Sequence, residues 1–70
     1  MNNIVDKTLK FALDNDRPLI ICYMSGDNIT QRRIYVRKIE DTGVTAYCMQ
    51  KKSLRKFKKE GILSAHIAET

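Results

Sequence analysis

The chain has 70 residues, 43% of them hydrophobic and 30% charged, with 13 Lys and Arg against 8 Asp and Glu and a formal net charge of +5. That length sets the expectation of one domain with a small core, burying only about 60% of its unfolded surface, and excludes a catalytic domain beside a regulatory one. The longest apolar run, Leu19 to Met24, is far short of the ~20 residues a spanning helix needs, and no secretory signal is visible. The expected setting is cytoplasmic, away from membrane.

In chain order, Asn3 is placed to cap a helix whose first turn holds Asp6, a charge that suits the helix dipole. Val5, Leu9, Ala12 and Leu13 recur at helical spacing and predict a helix over 3–14, which Asn15-Asp16-Arg17-Pro18 ends. Leu19 to Met24 reads as a strand, Ser25-Gly26-Asp27-Asn28 as a hairpin turn, and Thr30 to Ile39 as the returning strand. In that second strand Ile34 and Val36 share one face, and Arg33, Tyr35 and Arg37 the other. After the turn Asp41-Thr42-Gly43, the run Val44 to Met49 alternates as a third strand.

Residues 51 to 60 leave two readings open. Leu54 and Phe57 would share a helical face, whereas Ser53, Arg55 and Phe57 would share one side of a strand. Gly61 closes this segment, and Ile62 to Ala68 alternates as a last strand. One helix followed by four or five short antiparallel strands predicts a mostly β fold, a small barrel over about 18–68.

Charge is unevenly placed. Residues 1–30 carry three basic and four acidic side chains, residues 31–70 ten basic and four acidic, and six of the 13 cations fall between Lys51 and Lys59. An anionic partner is one reading and a solvated, solubilising face the other. Cys22 and Cys48 sit in apolar strand contexts and, without a secretion signal, are expected as buried thiols. With the lone His66 they offer no metal-ligand spacing, so no metal or cofactor is expected, and His66 is assigned to the surface or rim.

From about Ala12 to Ala68 the chain resembles the WYL domain, found mostly in bacterial transcriptional regulators. The resemblance rests on Tyr23 ending a first strand, Arg32 or Arg33 opening the next, Ala46-Tyr47-Cys48, Arg55-Lys56-Phe57, and Ile62. The Trp-Tyr-Leu signature is absent, with Thr42-Gly43-Val44 in its place, and the second arginine of the closing motif falls at Gly61. The 70 residues hold no helix-turn-helix segment. What the resemblance implies is an Sm-like, SH3-type barrel behind a helix, a strand rather than a helix for residues 53–57, a bacterial or phage setting, and a regulatory ligand bound on a basic, aromatic-lined surface.

The candidate ligand-binding residues are Arg33, Arg37, Arg55, Tyr35, Tyr47, Tyr23 and Lys52. Arginine offers a planar fork that grips phosphate in two places, while Lys52 and its neighbours supply less directional attraction. A base is expected to stack on Tyr35 or Tyr47 while the arginines, gathered by barrel closure onto one surface, hold phosphate. The bland counterparts are arginines lying over Tyr35, and tyrosines that are half-buried with hydroxyls fixing a neighbour. Phe57, Leu54, Ile62, Ile34 and Val36 are assigned to the core. No serine has a nucleophile context and His66 has no orienting acid, so no catalytic residue is expected. The expectation is a non-enzymatic module for a nucleotide or single-stranded nucleic acid. The alternative is a protein-interaction or self-associating domain.

Overall fold

A computed structural model describes residues 3–68. The helix α1 (Asn3–Asn15) is followed by β1 (Pro18–Ser25), β2 (Asn28–Ile39), β3 (Gly43–Cys48), β4 (Ser53–Lys58), a single 3-10 turn (Lys59–Gly61) and β5 (Ile62–Ile67). The side chain of Asn3, the expected cap, lies outside the described residues.

What ends α1 is a Schellman motif. The Arg17 N–H donates to the Ala12 carbonyl at 3.0 Å and the Asp16 N–H to that of Leu13 at 3.4 Å. Asp16 takes the left-handed conformation (φ 51°) that this motif demands, a geometry aspartate tolerates better than most residues. Pro18, lacking an N–H, then opens β1, and its carbonyl accepts from Ala68 at 2.9 Å.

All neighbouring strands are antiparallel, in the order β4-β3-β2-β1-β5. The sheet curls over one core as an open barrel, with β4 and β5 as its edges and the 3-10 turn bridging them. Alternation decides what faces inward: Leu19 and Ile21 from β1, Ile34 and Val36 from β2, Val44, Ala46 and Cys48 from β3, and Phe57 from β4. Helix α1 packs across β2 and β5 and closes the core with Val5, Leu9 and Ala12, its i, i+4 and i+7 positions.

Residues 53–58 are therefore a strand, as the family resemblance implied. Leu54 corrects the core assignment. It is directly paired with Tyr47 on the outward side of the sheet and is 63% exposed. Phe57 is the residue of this segment that enters the core. Its ring meets Tyr23 edge-on at 5.0 Å between centroids. Cys48 is buried as expected, but Cys22, one residue out of phase with the core positions of β1, is only half-buried; both are free thiols.

Gly61 is held where nothing larger fits. A Cβ there would stand 2.7 Å from the Tyr23 ring and 2.8 Å from the Met24 carbonyl oxygen. The chain passes so close to β1 that the arginine expected at this point of the family motif has no room. Among the described residues no helix is long and apolar enough to cross a membrane.

Candidate functional site

Among the described residues no strand contains an acidic residue, while β2 and β4 together carry seven cations. The acids of the described chain stand in α1, in the turns and in the 3-10 segment. This segregation follows from the strands themselves. One side of each must be apolar to build the core, so charge is displaced to the other side or to strand ends beyond the core, as at Arg32 and Arg55. In this sequence every such position that is charged is basic.

On the outward side, register assembles a platform from three strands. Tyr35 of β2 is directly opposite Tyr47 of β3, and Tyr47 is directly opposite Leu54 of β4. Directly opposed residues lie about 5 Å apart, so two phenol rings and an aliphatic side chain form a continuous row. The parallel row one step along is Lys38, Thr45 and Lys56. On the far side of Tyr35, two residues back along β2 and so ~7 Å away, stands Arg33. Both tyrosines are half-buried. The platform is an aromatic strip with cations along both flanks.

Arg37 belongs to this face through an irregularity. The β2–β3 register slips between Val36 and Lys38, so Arg37 has no partner across the ladder and Lys38 takes the place beside Thr45. The freed guanidinium lies 5.6 Å from the Tyr35 ring centroid and donates to Asp16 Oδ1 at 3.2 Å. Both partners of that ion pair are more than half exposed, so it holds Arg37 in place without contributing much stability.

Arg55 and Tyr23 stand elsewhere. Arg55 is paired with Ala46, a core residue, and so projects from the opposite side of the sheet from Arg33. It stays exposed because residues 53–56 of β4 run past the core with both sides in solvent. The expectation that Arg33, Arg37 and Arg55 meet on one surface is thus corrected: alternation along the strands separates the third from the first two. Tyr23 takes the anchoring alternative, accepting from the Lys58 N–H at 3.0 Å and packing on Phe57. Lys52 sits in the β3–β4 turn with φ 53°, exposed and next to Lys51. His66 is exposed, opposite Ile20.

Sequence reasoning missed Gln50. Its side-chain oxygen accepts from the Arg33 N–H at 3.1 Å and lies 3.6 Å from Cys48 Sγ, tying the β3–β4 turn to the strand that carries the platform arginine. Nothing local marks it, because its partner is 17 residues away. Lys38 was missed for a different reason: strict alternation hides it, and only the slip at Arg37 brings it outward. Among the described residues the ion pairs are Arg37–Asp16 and Lys59–Asp6, which leaves Arg33, Lys38, Lys56 and Arg55 without an acidic partner.

Comparison with known proteins finds the same fold in a far larger chain. The solved structure of proteasome accessory factor B/C (PafBC) of Arthrobacter aurescens matches with a TM-score of 0.82 at 22% sequence identity, over 97% of this chain and 12% of that chain. No protein-family model matches, and no curated protein does. The chain therefore shares its fold with a short section of PafBC, and spans about an eighth of that protein's length.

Proposed function

We propose that this chain is a non-enzymatic regulatory module of the WYL type that binds single-stranded nucleic acid, or a nucleotide, on the outward face of β2, β3 and β4. The carrying observation is the Tyr35–Tyr47–Leu54 row flanked by Arg33 on one side and Lys38 and Lys56 on the other, on a sheet whose strands hold no acid. Similarity to a section of PafBC supports a module of the transcription-factor type.

The chemistry follows from the parts. Every base has a π-face, so a pair of adjacent phenol rings accepts two successive bases with little sequence preference. Arg33 supplies the bidentate phosphate contact, and Lys38 and Lys56 the diffuse, salt-sensitive attraction. Arg37 lies over the Tyr35 ring, and a base that stacks on this ring takes its place. Lys52 and Arg55 raise the field at the β4 end without sharing the face.

Fluorescence anisotropy with a labelled oligothymidylate across salt concentrations tests this. Three phosphate contacts give a log–log salt slope of about −2. Removing either ring by Tyr35→Ala or Tyr47→Ala weakens binding by about 1–3 kcal/mol, and Arg33→Ala weakens it and flattens the slope. No binding at low salt, or binding indifferent to both tyrosines, overturns the proposal.

A further inference from the structure

At the helix end of the sheet a cleft of about 770 Å³ opens where the first turn of α1, the β2–β3 turn, the 3-10 segment and the start of β5 meet. Val5 and Ile62 form its floor and Leu63, 43% exposed, its wall. Asp6, Asp41 and Glu60 stand around it, together with Lys58 and Lys59. Lys59 is occupied, its Nζ 3.8 Å from Asp6 Oδ1 and its side chain only 15% exposed. Asp41 and Glu60 have no ion pair among the described residues. The cleft is therefore apolar inside, and with Lys59 and Asp6 paired its rim keeps Asp41 and Glu60 against Lys58, a small acidic excess on a molecule whose net charge is +5.

The complement of this cleft is present on the same chain. Between Asp41 and Glu60 there is no acidic residue, and residues 51–56 are all exposed. They present one large aliphatic side chain, Leu54, with Lys51 and Lys52 before it and Arg55 and Lys56 after it. The turn that leads into this segment is fixed rather than loose, because Gln50 is bonded to the Arg33 N–H. A chain cannot fill its own cleft. The turn precedes Ser53 and the cleft begins at Lys58, so the two lie at opposite ends of β4, roughly 18 Å apart at strand rise.

We propose that the β3–β4 turn of one copy docks in the acid-rimmed cleft of a second copy, with Leu54 against Val5, Ile62 and Leu63 and with Lys51 and Lys52 beside Asp41 and Glu60. Two different patches meet, so the association is head-to-tail. The contact is small, and it belongs among weak, salt-sensitive interfaces. It shares Leu54 with the nucleic-acid platform, so a ligand there competes with it, but it stands or falls separately because neither platform tyrosine takes part.

Sedimentation velocity on protein freed of nucleic acid, up to about 1 mM, gives the readout. The wild-type chain shows an average mass that rises with concentration and falls back in high salt. The double substitutions Asp41→Lys/Glu60→Lys and Lys51→Glu/Lys52→Glu each leave a monomer, and their equimolar mixture associates again because each restores the other's charge pairing. Tyr35→Ala/Tyr47→Ala associates like wild type. Circular dichroism checks that each variant is folded. Should a charge variant not fold, Leu54→Ser, at an exposed position, weakens association at least fivefold in its place. A wild-type monomer over the whole range, a charge variant that associates alone like wild type, or a mixture that stays monomeric overturns the inference.

Discussion

The contact between Gly61 and Tyr23 is where single atoms matter most. With 2.7 Å between a would-be Cβ and the ring, Gly61→Ala forces the ring or the β1 backbone to move, at a cost of about 1–3 kcal/mol by urea denaturation. Gly61→Arg, the residue at this point of the WYL motif that the chain resembles, destabilises further, because a long side chain must leave the same space. Tyr23 is the other half of the joint. Tyr23→Phe keeps the ring against Phe57 but removes the acceptor for the Lys58 N–H; the loss is about 0.5–1.5 kcal/mol. The same reasoning separates tyrosines of identical type. Tyr23 holds the 3-10 junction to β1, whereas Tyr35 and Tyr47 face outward on the surface proposed to take a ligand. Their strand phase makes the difference.

Among the elements, the β3–β4 hairpin combines two functions on a short turn. It positions Lys51 and Lys52, and through Gln50 it braces the strand that carries Arg33. Its weak point is Lys52, whose φ of 53° is costly for a residue with a Cβ. Lys52→Gly relieves that cost and is expected to raise stability by about 0.5–1 kcal/mol in chemical denaturation, while lowering affinity for an anionic ligand at low salt. Strand β4 itself is divided. Phe57 is buried, and residues 53–56 lie beyond the core with both sides in solvent. That division lets one strand close the barrel at one end and offer charge at the other.

For the molecule as a whole, a core assembled from about a dozen side chains leaves a narrow stability margin. Leu9 is fully buried where α1 crosses the sheet, and Leu9→Ala is expected to cost about 2–5 kcal/mol, enough to bring a domain of this size close to its unfolding midpoint at 37 °C in a thermal melt. The charge distribution is a property of the same scale. Seven of the 13 cations lie in the strands, and the acids of the described residues all lie outside them, so the field that would steer an anion and the cleft that would receive a basic segment lie on different parts of one small body.

Much of this was legible in the chain. The helical spacing of Val5, Leu9 and Ala12, the turn residues around Gly26 and Gly43, and the alternation of Ile34 with Val36 determined one helix and four of the strands, because periodicity and turn chemistry are local. The concentration of cations in the second half was equally plain. Local pattern did not decide residues 53–58, where two apolar positions fit either period, nor the exposure of Leu54, which depends on where the core stops. It also gave no account of which arginines share a surface. That depends on the pairing of Arg55 with Ala46 and on the slip at Arg37, and strand register is set by contacts between residues far apart in the chain.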